Sequence, residues 1–161
     1  PVDCPVWIVV AITALANALG ARLVEQVSNQ ADKSQPAHPV HWLGERDDVA
    51  ELLPELSILA HAARQEPLGR VLLEAAATGI PVVATDVGGT SEIFPPAANA
   101  ARLIAPNDPN ALAKALLELL ADPSLRLALG NAACQRAAQA FDAEQSAPAM
   151  LRHYQDVAEQ A

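Results

Sequence analysis

The most constraining feature of this chain is a pair of glutamates, one placed just before a short apolar helix and one inside it. Glu66 and Glu74 have seven residues between them, and the apolar pattern predicts a helix over about 69–78. Gly79 fits the C′ position that commonly ends a helix. The β-branched run at 80–85 then predicts a buried strand. One carboxylate is therefore expected just before a helix N-terminus, and the other about two turns inside the same helix, beside a predicted sheet.

The start of this helix has the chemistry of an anion site flanked by hydrogen-bond acceptors. A helix N-terminus presents unpaired N–H groups and a partial positive charge, which suit a phosphate. An ionised carboxylate only accepts hydrogen bonds, which suits sugar hydroxyls. Gly69 permits close approach of a ligand to the backbone. The pattern therefore indicates a site for a nucleotide sugar.

The rest of the chain alternates between short apolar runs and helical patterns. Strands are predicted at 6–10, 40–43, 56–62, 81–85 and 101–104, and helices at 14–29, 49–53, 109–121, 123–140 and 143–159. Asp47 or Asp48 is the expected N-cap of the 49–53 helix, and an Asp-Pro pair starts the helices at 109 and 123. This alternation predicts an α/β fold, a Rossmann-like parallel sheet with helices on both faces.

Three loops are expected to share one edge of that sheet. The segments 44–48, 63–69 and 86–90 each follow a predicted strand. Ligands of parallel sheets bind outside the carboxyl ends of the strands. We therefore expect these loops to form the ligand site together.

Composition limits the kinds of partner that the chain can have. Hydrophobic residues make up 52% of the 161 residues and charged residues 18%, which suits one globular domain. The net charge of −9 argues against nucleic acid or an anionic membrane as a partner, and no apolar run is long enough to span a membrane. Cys4, Cys134 and the four histidines lack metal-ligand spacing, so no metal site is predicted, and a cytoplasmic location fits.

An ordered series of motifs, and not the glutamate pair alone, resembles a known family. The chain reads HWLGERDDV at 41–49, EPLG at 66–69, LEA at 73–75, GIPVVATDVGG at 79–89 and APNDP at 105–109. In this order the motifs resemble those of the C-terminal, donor-binding domain of retaining glycosyltransferases of the GT-B fold, family 4 in particular. The glutamate pair matches that family's E-x7-E motif. The resemblance covers roughly residues 40–140.

The resemblance implies a role for each part of the site. Glu74 is expected to bond the ribose hydroxyls, and Glu66 the hydroxyls of the donor hexose in the catalytic centre. The loop of Arg46 is similar to the family's base-contacting loop. The residues expected to bind the donor are Arg46, Glu66, Leu68, Gly69, Arg70, Val71 and Glu74. The substrate implied is a nucleoside-diphosphate sugar, with no cofactor, no metal and no protein nucleophile.

Several of these residues also have purely structural interpretations. Glu74 could pair with Arg70 one turn earlier on the helix, although that order of charges is the weaker one. Glu66 could simply favour the positive end of the helix. Arg46 could belong to an exposed charged loop. His61 ends a predicted strand near the site, and we interpret it as a structural rather than a catalytic histidine.

The chain departs from the family pattern at its start. The early G-R-x4-K-G segment that holds the donor diphosphate has no counterpart before Val6, and the only lysines are Lys33 and Lys114. The G-x-G turn expected after the first strand is also replaced. We therefore expect residues 1–161 to be a single donor-binding domain, the C-terminal half of a GT-B fold that is incomplete at its N-terminus. The N-terminal acceptor domain would be absent, and membrane association would come only through that missing part.

Three functions are compatible with these patterns. The leading hypothesis is a hexosyltransferase, of a kind used in polysaccharide biosynthesis, in which this domain binds the donor but is inactive alone. The alternative is a non-catalytic remnant that binds a nucleotide sugar or a protein partner. A third is a nucleotide-sugar enzyme of the 2-epimerase kind, which the E-x7-E motif disfavours.

Overall fold

Four parallel strands form one sheet in the computed structural model, which describes residues 8–11, 43 and 46–159. The strands follow their order in the chain: β1 (Ile8–Ala11), β2 (Ile58–His61), β3 (Val82–Thr85) and β4 (Arg102–Ile104). The register pairs Leu59 with Val82 and Ala84 with Leu103. The predicted parallel α/β sheet is thus confirmed.

Six α-helices connect and follow these strands in the described residues. They are α1 (Val49–Leu52), α2 (Arg70–Ala77), α3 (Thr90–Ile93), α4 (Pro109–Ala121), α5 (Pro123–Ala140) and α6 (Ala143–Glu159). Short 3-10 turns cover Leu53–Glu55 and Pro96–Ala98. The predicted bounds of the last three helices are confirmed. The predicted helix at 14–29 and the strand positions 40–42 lie outside the described residues, and Leu43 is exposed without regular structure.

Two predicted bounds were wrong around the first 3-10 turn. The helix predicted at 49–53 ends at Leu52, and the strand predicted at 56–62 covers Ile58–His61. The 3-10 turn has Pro54 near its start, and it closes when the N–H of Leu56 donates to the carbonyl of Leu53 at 3.0 Å. Leu56 is therefore used to end a turn and does not pair within the sheet.

Aspartate caps explain why the late helices begin where the sequence predicts. The carboxylate of Asp108 accepts the N–H of Ala111 at 2.9 Å, and that of Asp122 accepts the N–H of Leu125 at 3.0 Å. Each satisfies an N–H that the first turn leaves free. Asp48 occupies the expected cap position of α1 but makes no capping bond, because its carboxylate is bound elsewhere.

The core lies in two clusters on opposite faces of the sheet. Side chains alternate along a strand, so Val82 and Ala84 of β3 enter one cluster and Val83 the other. Helix α2 covers the first cluster with Leu72, and α4 covers the second with Leu119. Helices therefore pack on both faces, as predicted.

The end of α2 fixes where α5 crosses it. The N–H of Gly79 donates to Ala76, and that of Ile80 to Ala75, each at 3.0 Å, with Gly79 at φ +75°. This is the Schellman pattern that the C′ glycine predicts. Helix α5 then passes so close that a Cβ on Gly130 would overlap the carbonyl oxygen of Gly79. The contact between α2 and α5 therefore requires a residue without a Cβ at position 130, which only glycine provides.

We expect Gly130→Ala to destabilise the chain by about 1–3 kcal/mol, the usual cost of overpacking. The clash would outweigh the roughly 1 kcal/mol that alanine gains over glycine in a helix. Urea denaturation of the 161-residue chain measures the change. Asn131→Ala, on the exposed side of the same helix, is the control and should change stability by no more than about 0.5 kcal/mol. Equal stability of both variants would contradict the close packing.

Candidate functional site

Two loops meet at the carboxyl edge of the sheet, one following β2 and the other following β3. The N–H of Gly89 donates to the carbonyl of Glu66 at 2.9 Å. The buried hydroxyl of Thr85 donates to the carbonyl of Ala63 at 2.6 Å. The predicted proximity of the loops at 63–69 and 86–90 is therefore confirmed. The third predicted loop, 44–48, lies partly outside the described residues.

A glycine pair allows the two loops to approach this closely. Gly88 has φ +53°, and a Cβ there would overlap the carbonyl oxygen of Glu66. A Cβ on Gly89 would lie 2.6 Å from the carbonyl oxygen of Pro67. Any side chain at these two positions would push the loops apart. The glycine pair of the second loop thus has a structural reason at the site.

An open cavity of about 400 Å³ lies between the loops. Its lining residues are Arg64, Gln65, Glu66, Pro67, Val87 and Gly88. This volume falls within the roughly 300–1,000 Å³ of small-molecule sites. Arg64 and Glu66 both belong to this lining, so one basic and one acidic residue lie at the same opening.

Glu66 is held in place on the wall of this cavity. Its Oε1 accepts the N–H of Gly69 at 2.7 Å and, more weakly, the N–H of Leu68 at 3.4 Å. Its Oε2 lies 3.0 Å from Nε2 of His61, and the side chain is 11% exposed. Glu66 therefore makes the contacts at the helix start that the structural interpretation predicts, and its ligand role stays a prediction. Each carboxylate oxygen has two lone pairs, so acceptor capacity remains for a ligand.

The start of α2 presents N–H groups beyond those that Glu66 uses. Gly69 is the N-cap, at φ +79°, and its carbonyl accepts the N–H groups of Leu72 and Leu73. The described residues supply no acceptor for the N–H groups of Arg70 and Val71. An anion at this helix start could bind those two groups. Leu68 and Gly69 are also among the predicted donor-binding residues, but their N–H groups point to Glu66.

The side chains along α2 differ in how open they are. Arg70 is 85% exposed and Glu74 is 45% exposed, and their nearest charged atoms are 3.9 Å apart. An exposed ion pair at this distance contributes little to stability, so the carboxylate of Glu74 is available to a ligand. The side chain of Val71 packs partly against the core, so only its backbone could serve the site. Glu74 does not line the cavity between the loops.

Arg46 is bound to Asp48 through two contacts. Its Nε lies 2.7 Å from Oδ1, and a terminal nitrogen contacts Oδ2. The hydrogen bonds from Arg46 lower the pKa of Asp48, and the bond to Asp48 raises the pKa of Arg46. Because the pKa of Asp48 is lowered, the pair stabilises the folded chain at pH values above the ordinary carboxyl pKa. This stabilisation is lost as the pH falls through the lowered pKa of Asp48. None of the described contacts joins Arg46 to the cavity.

Two features of the site were not predicted from the sequence. The first is the role of Thr85, whose hydroxyl anchors the neighbouring loop. The second is the contact of His61 with Glu66, although the burial of His61 agrees with a structural histidine. A histidine at the end of a strand, five residues before an acid, is a signal that could have suggested the pair. Neither contact follows from periodicity, because the bond of Thr85 depends on where two loops meet and that of His61 on how the chain turns after β2.

We expect Thr85→Val to destabilise the chain by about 1–3 kcal/mol, because it leaves the carbonyl of Ala63 without a buried donor. The matched control is Thr90→Val, since the hydroxyl of Thr90 is buried with no hydrogen-bond partner in the part of the chain that the structure describes. That change should be neutral or stabilising. Urea denaturation distinguishes the two, and equal effects would refute the role of the Thr85 hydroxyl.

Comparisons with known sequences agree with these motifs. A sequence profile described as Glycosyl transferases group 1 matches residues 19–136. Maize sucrose-phosphate synthase is 47% identical over 105 residues, which are 65% of this chain and 10% of that protein. The N-acetyl-alpha-D-glucosaminyl L-malate synthase of Bacillus anthracis is 32% identical over 118 residues, 73% of this chain and 31% of that protein. The chain thus spans about a third or less of these relatives.

Solved structures share the fold at greater coverage of this chain. Sucrose-phosphate synthase from Thermosynechococcus elongatus has a TM-score of 0.80 and 27% identity, covering 96% of this chain and 39% of that one. HepE from Anabaena, solved with UDP-glucose, has a TM-score of 0.79 and 25% identity, covering 95% of this chain and 42% of that one.

A search of the helices in the described part of the chain finds none with the length and apolar character of a membrane span.

Proposed function

Because this chain belongs to the glycosyl transferases group 1 family, we propose that it binds the nucleotide-sugar donor of a glycosyltransferase. The intact protein would transfer a hexose from a nucleoside-diphosphate sugar to an acceptor, with retention at the anomeric carbon. The observation that carries the proposal is the start of α2. Two N–H groups without described partners lie there, with Glu66 before them and Glu74 after them on the helix.

The diphosphate is proposed to bind the N–H groups of Arg70 and Val71. The net charge of −9 would repel a diphosphate, so its binding must come from local positive charge. The helix start supplies part of that charge. Arg64, which lines the cavity, and the highly exposed Arg70 supply guanidinium groups. A leaving diphosphate would be stabilised by the same groups, so the proposal calls for no metal ion.

The two carboxylates are proposed to bind the two sugars of the donor. Glu66 lines the cavity and keeps free lone pairs, so it suits the hydroxyls of the transferred hexose at the reacting end. Glu74 lies inside α2 and is exposed, so it suits the ribose. The backbone of the loop containing Arg46 would contact the base. Leu68 contributes through the turn that presents the helix start, since its own N–H points to Glu66.

A uridine-diphosphate sugar is the first donor to test. HepE has been solved in one structure with UDP-glucose and in another with UDP, and these structures align to this chain with 25% and 26% sequence identity. A saturation-transfer NMR screen of UDP-, GDP- and ADP-sugars with the intact protein tests this choice. We expect one nucleotide series to bind and the free nucleoside diphosphate to compete with it. The proposed function fails if no member of the panel binds.

A non-catalytic nucleotide-sugar-binding domain is the second candidate. The internal contacts of Glu66, to the N–H of Gly69 and to His61, favour it, since they give the carboxylate a structural role. Such a domain would pass the binding screen and fail to transfer sugar. Product analysis with a labelled donor and the intact protein separates the two candidates, because only the enzyme moves the label to another molecule.

We expect Glu74→Gln to weaken donor binding about tenfold, because a charge-assisted hydrogen bond to ribose becomes a neutral one. Calorimetric titration of the intact protein with UDP-glucose measures the change. Glu144→Gln on α6 removes one exposed charge far along the chain and is the control. Affinity that is the same in both variants would exclude the ribose role of Glu74.

A further inference from the structure

Glu66 is fixed at three atoms by three different elements. Its carbonyl accepts the N–H of Gly89 from the loop after β3, and its Oε1 accepts the N–H of Gly69 at the start of α2. Its Oε2 lies 3.0 Å from Nε2 of His61, the last residue of β2. The backbone of Glu66 and one of its carboxylate oxygens are thus placed by loop contacts, and the second oxygen by an imidazole.

The bond to His61 determines how the carboxylate plane is oriented. The terminal torsion of a glutamate side chain is broad, with no sharp staggered preference. A single bond at Oε1 would let the plane rotate about that anchor. A second bond at Oε2 removes this freedom, so the remaining lone pairs have a fixed direction. When Glu66 is ionised its carboxylate only accepts hydrogen bonds, so Nε2 of His61 is then the donor.

His61 is well supported for this task. Its imidazole is fully buried, and its backbone is paired on both sides, with Ala11 of β1 and Ala84 of β3. The hydroxyl of Thr85, which anchors the adjoining loop, lies 3.4 Å from the carbonyl of His61. A rigid strand therefore transmits its position to the carboxylate through a single hydrogen bond.

We propose that His61 is a positioning residue that aims the Glu66 carboxylate at the hexose of the bound donor. This inference rests on the proposed function, because it assigns a direction to a contact that the donor sugar would make. His61 does not touch the donor; it acts through Glu66. Its loss should therefore affect the hexose and the transfer step, and leave the nucleotide half of the donor unaffected.

Three variants of the intact protein test this assignment. His61→Leu keeps a side chain of fair size and removes the hydrogen-bond donor to Glu66. His61→Gln places an amide nitrogen near the position of Nε2, whereas the shorter His61→Asn cannot reach it. For each variant, calorimetry gives the affinities for UDP and UDP-glucose, and labelled-donor assays give the transfer rate.

We expect His61→Leu to bind UDP within twofold of wild type, to lose the difference in affinity between UDP-glucose and UDP, and to slow transfer at least tenfold. His61→Gln should recover most of both losses, and His61→Asn should not. If His61→Leu does not fold, the Gln and Asn variants still provide the comparison. The proposal is overturned if His61→Leu keeps the wild-type difference in affinity between UDP-glucose and UDP. It is also overturned if all three His61 variants lose affinity for UDP and for UDP-glucose equally.

The result is distinguishable from failure of the proposed function. If wild type binds no nucleotide sugar, the proposed function fails, and the positioning role is overturned with it. If wild type binds and transfers while the Leu and Gln variants behave alike, only the positioning role fails. An imidazole N–H signal of His61 in nitrogen-15 NMR of the free protein, shifted by Glu66→Gln, checks the hydrogen bond without any ligand.

Discussion

The hydrogen bond from Gly89 to the carbonyl of Glu66 joins the two loops from which the candidate site is built. It can form only because Gly88 and Gly89 lack side chains, since a Cβ at either position would meet the opposite backbone. The same contact places Glu66 where its carboxylate reaches both the start of α2 and His61. The cavity, the contact of Glu66 with the start of α2 and the orientation of its carboxylate all depend on that one approach of two loops.

Electrostatics at this edge are local and opposed to those of the whole chain. The chain carries a net charge of −9, yet the start of α2 has N–H groups with no acceptor among the residues that the structure describes, and the exposed Arg70 lies on its first turn. A diphosphate would therefore be attracted only within a few ångströms of this start. The guanidinium of Arg46 pairs with Asp48, and the role of its loop at the site stays a prediction.

The sequence predicts those parts of the fold that depend on neighbours along the chain. Helices α4 and α5 have the predicted bounds, since proline and the caps Asp108 and Asp122 act within one turn. Prediction is poorer where a side chain has several possible partners or where distant segments meet. The carboxylate of Asp48 binds Arg46 instead of capping its helix, and the hydroxyl of Thr85 bonds the carbonyl of Ala63 in another loop. The ligand roles of the predicted donor-binding residues remain predictions.

The central claim is that a nucleotide sugar binds at the start of α2, and amide chemical shifts measure this most directly. Nitrogen-15 spectra of the intact protein would be recorded during titration with the donor that the NMR screen identifies. Our account predicts that the largest shifts occur at the N–H groups of Arg70 and Val71, because these groups would receive the diphosphate. Saturable binding that leaves both amides unmoved and shifts residues elsewhere would contradict it.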